Sequence, residues 1–114
     1  MFKLRPQQIS SYVMNRAVCD YGQGTSSTVK LSQMSPAGVA FWECDDATTN
    51  DNTGLFNDGA SRPDENTSGR HDTVTPAAIF DGSARIMQIA DWMEKMEEDG
   101  PNELWCAPDS PDGQ

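Results

Sequence analysis

A chain of 114 residues with one histidine and three cysteines has few ways to assemble reactive groups. His71 stands between Arg70 and Asp72. A zinc site built on one imidazole and dispersed thiols would need unusual ligation, because zinc draws on clustered Cys and His. Serines are plentiful, so a Ser–His–Asp relay is chemically open, yet no GxSxG context presents a nucleophile. Cys19, Cys44 and Cys106 lie far apart and form no CxxC pair. An odd number of such thiols, behind a Met1-Phe2-Lys3-Leu4-Arg5-Pro6 start without a signal-length apolar stretch, predicts reduced cysteines in a soluble cytoplasmic protein.

Oxygen ligands are more abundant. Asp45-Asp46 and Asn50-Asp51-Asn52 invite a calcium loop, but a loop begun at Asp46 puts Asp51 where Gly is required and Asn57 where the bidentate Glu belongs. No register fits, and a solvated polar loop is the better reading. GxxxxGK[ST] and GxGxxG are both missing, and Gly22-Gln23-Gly24 alone is a loop. Carboxylates paired in a cleft would serve a small hydrolase, the weakest reading kept open. The expectation is a protein that is not an enzyme and uses no cofactor and no metal.

The charge is one-sided. The first 44 residues set Lys3, Arg5, Arg16 and Lys30 against Asp20 and Glu43, a net of +2. The remaining 70 set 16 carboxylates against Arg62, Arg70, Arg85 and Lys95, a net of −12. Such a field repels itself, so it fits a chain that needs solubility or meets a basic partner. Direct nucleic-acid binding is disfavoured, since neutralising phosphates takes clustered Lys and Arg. No apolar run approaches the ~20 residues that span a bilayer.

The elements that must position these charges are legible in parts. Residues 6–18 place Ile9, Tyr12, Val13 and Ala17 at helical spacing, with Pro6 suited to a first turn, and predict an amino-terminal helix. Alternation over residues 28–34 and the apolar run in residues 38–44 predict two strands, the second more central, joined as a hairpin by Ser35-Pro36-Ala37-Gly38. Residues 45–75 form a long acidic loop of 31 residues, above the ~12–15 that compact domains usually tolerate without a function. Thr75-Pro76 reads as the start of a short helix, ended by Asp81-Gly82-Ser83. From Ile86, the spacing of Ile89, Ala90, Met93 and Met96, widened by Trp92, predicts a longer helix that Gly100-Pro101 ends. Leu104-Trp105-Cys106 would then be a last strand or an apolar clamp before a polar tail over residues 107–114.

Together these predict one α+β domain: a small antiparallel sheet packed against an amino-terminal helix and a longer carboxyl-half helix, with the acidic loop outside. Trp42, Trp92 and Trp105 belong to its core, with Trp105 the one most suited to reach a partner. The partner-binding candidates are therefore Asp45, Asp46, Asp51 and Asp58 in the loop, Asp91, Glu94 and Glu98 on one helical ridge, and Trp105. Neighbouring acids on such a ridge rise ~4.5–6 Å apart, against ~3.4 Å per phosphate along a DNA strand, a loose match.

The function expected from these features is non-enzymatic inhibition: an acidic surface, a DNA mimic in the looser sense, presented to the basic groove of a nucleic-acid-processing protein. In physical style, though in no motif, the chain is similar to phage anti-defence proteins such as inhibitors of CRISPR complexes, which would place it in a host cytoplasm. The alternatives are a viral structural or assembly protein acting as a homo-oligomer, and an acid excess that serves solubility alone.

Overall fold

A computed structural model describes residues 12–22, 29–44, 60–65 and 67–114. Strands β1 (Tyr12–Asn15), β2 (Val39–Glu43), β3 (Ala60–Ser61), β4 (Val74–Ile79) and β5 (Ala84–Gln88) make one sheet in the order β3-β1-β2-β4-β5, and helix α1 (Ile89–Glu97) follows β5 directly. β2 is central, flanked antiparallel by β1 and β4; the β4–β5 pair is also antiparallel, and only β3 runs parallel to β1. The sheet is therefore mixed.

Lateral register builds the core. Val13, Trp42 and Ala77 stand side by side across β1, β2 and β4, all buried. Trp92 of α1 packs on Trp42 with ring centroids 5.3 Å apart, and its indole N–H donates to the Pro63 carbonyl at 3.1 Å. Trp92 of α1 and Leu104 belong to this core cluster, and Trp105, Cys106 and Ala107 form a second buried cluster with Ala17 and Met34. Successive strand residues point to opposite faces. The second face carries Tyr12, Phe41 and Ile86, exposed at 45%, 44% and 68%.

Several expected helices are strands, for physical reasons. Residues 12–15 extend as β1, where pairing with β2 buries Val13 and Asn15, and a 3-10 helix over Arg16–Gly22 follows; among the described residues this replaces the later part of the expected amino-terminal helix. Ile9 and Pro6 lie outside the described residues. Thr75-Pro76 caps no helix: in β4 burial alternates strictly, with Thr75, Ala77 and Ile79 inward. Pro76 falls just past the last β2–β4 pair, where a strand tolerates a residue without an N–H. Asp81-Gly82-Ser83 is the hairpin turn to β5: Gly82 takes φ +88°, and the Asp81 carboxylate accepts the Ser83 N–H at 2.8 Å. That hairpin draws residues 84–88 into the sheet, so α1 begins at Ile89 rather than Ile86.

The expected strand over residues 28–34 is also corrected. Leu31–Gln33 is a 3-10 turn with Leu31 67% exposed, and no face is available there to reward alternation. The Ser35–Gly38 turn forms, with the Gly38 N–H donating to the Ser35 carbonyl at 3.0 Å, but it leads into β2 alone and closes no hairpin. Within the acidic loop, β3 and residues 62–65 and 67–73 are built; Leu55 and Phe56 lie outside the described residues.

The carboxyl terminus forms a clamp. Asn102 organises it: its amide donates to the Lys95 carbonyl at 2.8 Å, and its Oδ1 accepts the N–H groups of Leu104 and Trp105. The Val39 N–H donates to the Glu103 carbonyl at 2.8 Å, tying the clamp to the start of β2. Gly113, at φ +75°, packs so closely that a Cβ would overlap the Trp105 carbonyl. The polar tail over residues 107–114 is thereby turned back on the core, with Ala107 and Gly113 buried.

Candidate functional site

Helix α1 orients the densest described acids. Trp92 is its buried residue and fixes which side faces the sheet. Asp91, Glu94, Glu97, Glu98 and Asp99 are all exposed, and among the described residues none forms an ion pair. Lys95, the one cation in the helix, points to the clamp, where its Nζ meets Glu103 Oε2 at 3.0 Å. That hydrogen bond, with the field of Glu98 and Asp91, holds the ammonium above its ordinary range despite partial burial. The cation is committed to Glu103, and the exposed acids of α1 are left without it.

Beside α1 runs a groove of about 300 Å³. Trp92, Met93 and Met96 make one wall, and Pro63, Asp64 and Glu65 the other. Its far bank is anchored: the Glu65 carboxylate accepts the Arg62 N–H at 2.7 Å, and Asp64 stands 3.5 Å from the Arg62 guanidinium.

Of the predicted partner-binding residues, Asp91 and Glu94 on α1 and Glu98 at its C-cap are exposed. Asp45, Asp46, Asp51 and Asp58 lie outside the described residues. Trp105 is corrected: it is 2% exposed, its indole N–H donates to the Met96 carbonyl at 2.9 Å, and the Arg62 guanidinium covers its ring at 5.6 Å. The Gly100-Pro101 turn folds the chain inward instead of releasing it.

Sequence reasoning missed one constellation. Glu43 shares its strand face with exposed Phe41, yet its side chain is only 8% exposed. The Ser68 N–H donates to the Glu43 carbonyl at 2.9 Å, which lays residues 68–71 over the end of β2. Arg70 then stands 3.5 Å and His71 Nε2 3.1 Å from the Glu43 carboxylate. A carboxylate hydrogen-bonded to an imidazole can serve general base chemistry, but Glu43 Oε2 is buried here without a hydrogen-bond partner. The adjacency Arg70-His71 was visible; its acidic partner 27 positions away was not.

Cys106 is buried, and desolvation pushes its thiol up to about 11. Among the described residues no three His, Cys, Asp or Glu side chains converge to hold a metal ion, and no helix is long and apolar enough to cross a membrane. Comparison with protein-family models, curated proteins and solved structures returned no match.

Proposed function

We propose that the chain is a non-enzymatic protein-binding inhibitor that sets its acidic α1 surface into the basic groove of a nucleic-acid-processing protein. One observation carries this reading: the only cation of α1 is paired with Glu103 while five carboxylates from Asp91 to Asp99 are exposed and form no ion pair among the described residues. Like charges this close raise the cost of folding, and a positive partner relieves it. Asp45, Asp46, Asp51 and Asp58, the other acids the sequence offers to such a partner, lie outside the described residues.

The test is capture from a cell extract on immobilised protein, with elution by salt or by duplex DNA. A partner with a phosphate-binding groove should be retained by the native chain and released by either eluent. The triple variant Asp91→Lys, Glu94→Lys and Glu98→Lys should fold and retain none of it. Equal capture by the triple variant overturns the reading.

A second reading, self-association, has one observation in its favour. β5 is one edge of the described sheet, its only charge is Arg85 on the core face, and Ile86 lies on the exposed apolar face. Antiparallel pairing of β5 with a second copy would join two such faces across a two-fold axis. Sedimentation of the native chain against Ile86→Lys decides it: a dimer lost in the variant supports pairing, and a monomer in both removes it.

A further inference from the structure

The groove beside α1 has the chemistry of a peptide-docking site. Its floor is apolar and firmly placed: Trp92 and Pro63 are buried and joined by the indole hydrogen bond. One lip is adaptable, since Met93 is 46% exposed and a thioether chain reshapes around what it meets. The bank opposite the helix is acidic: it carries Asp64 and Glu65, with the Asp64 carboxylate 3.5 Å from the Arg62 guanidinium. A volume of about 300 Å³ is at the low end for a small-molecule pocket and suits one or two side chains.

We infer that this groove takes a basic peptide segment of the partner, seating one apolar side chain against Met93 and Met96 above the buried Trp92 while flanking Lys or Arg groups meet Asp64 and Glu65. The inference rests on the reading above, that the acidic surface meets a basic protein, and names where the apolar anchor goes. Charge complementarity selects the occupant. A second copy of a chain with net charge −10 would bring acid against acid along this bank, and a nucleic acid would bring phosphate against it. A basic segment without an apolar side chain would leave Met93 facing water. Lys and Arg also lay their methylene stems along apolar surface while the charged head stays wet, so the same bank suits the anchor's neighbours.

The probes are three synthetic peptides of equal length: Leu/Lys with helical spacing, Ser/Lys of the same charge, and Leu/Glu. Binding to the full chain is measured by calorimetry at 150 mM and 500 mM salt. The Leu/Lys peptide should bind at least about tenfold more tightly than Ser/Lys at 150 mM and keep a measurable affinity at 500 mM, and Leu/Glu should not bind. Met93→Gln, neutral and at an exposed position, should cut the Leu/Lys preference to near parity, and Asp64→Asn should weaken both basic peptides. If Leu/Lys and Ser/Lys bind equally, or Met93→Gln changes nothing, the groove is overturned while the acidic-surface reading survives. If neither basic peptide binds and the triple α1 reversal is equally inert, both fail together. Binding of Leu/Glu would also overturn the inference, because it needs no charge complementarity.

Discussion

Asn15 shows how much one polar side chain can hold. Its amide donates to the carbonyls of Val39 at 3.0 Å and Leu104 at 3.1 Å, and its Oδ1 accepts the Ala17 N–H at 2.9 Å. It thus joins β1, the start of β2 and the carboxyl clamp from a fully buried position. Asn15→Ala should cost about 2–4 kcal/mol in urea unfolding, the cost of stranding buried partners. Asn15→Asp should be worse at neutral pH, where a carboxylate would face two carbonyls. Burial raises that acid's folded pKa, so the variant's stability is present below its unfolded value of ~3.9 and is lost as pH rises. An Asp variant as stable as Asn at pH 7 would contradict this account.

Two further side chains make residue-scale predictions. Removing Arg70 leaves Glu43 nearly buried with His71 as its remaining described ion-pair partner. Arg70→Ala should cost about 1–2 kcal/mol, discounted from the ~3–5 of a fully buried pair because the guanidinium is 34% exposed. Glu43→Gln in that background should recover part of the loss, and a double-mutant cycle reads the coupling. Strict additivity would show that the pair is not coupled. For Cys106, the folded thiol ionises near 11 against 9.0 for the free group. Its contribution to stability is complete below pH 9 and is lost as pH rises toward 11. Native alkylation at pH 8 should therefore label exposed Cys19 first and spare Cys106; equal rates for the two thiols would refute it.

At the scale of elements, the clamp decides whether α1 keeps its place. Asn102 closes the turn after the helix, and Trp105 returns its N–H to the last turn of α1 at Met96. Gly113→Ala places a Cβ in the Trp105 carbonyl and forces an L-residue to φ +75°. It should expose Trp105, red-shifting tryptophan emission and lowering the thermal midpoint by several degrees. Unchanged emission would mean that the terminus contributes little.

The elements also show what a single sequence reveals. β2 was legible because Val39-Ala40-Phe41-Trp42 is apolar on both faces and bounded by turn residues. The core of α1 was legible from Ile89, Trp92, Met93 and Met96 at helical spacing. β1 and β4 were not, because four to six residues with Tyr, Val, Thr, Ala and Ile satisfy either period, and only pairing with β2 chooses the extended form. The Glu43–His71 contact and the Trp105 packing depend on segments distant in sequence. Local pattern carries no trace of either. The exposed acids of α1 were readable at both levels, since exposure of Asp91, Glu94 and Glu98 follows from where Trp92 must point.

On the scale of the whole molecule, the described structure has two unlike surfaces. The sheet's outer face carries Tyr12, Phe41 and Ile86, and the helix side carries the carboxylates of α1 and the groove bank. Charge gathered on one side of a molecule makes its field directional, and directional fields steer association more than they add to affinity. The measurement that tests the central claim most directly is the association rate of the captured partner with the immobilised chain as salt is varied. The native protein should lose about tenfold or more in association rate between 50 and 500 mM salt, while the Asp91→Lys, Glu94→Lys, Glu98→Lys variant should associate slowly at every concentration. Equal rates for the two proteins, with no dependence on salt, would contradict the claim that the acidic face of α1 meets a positive surface.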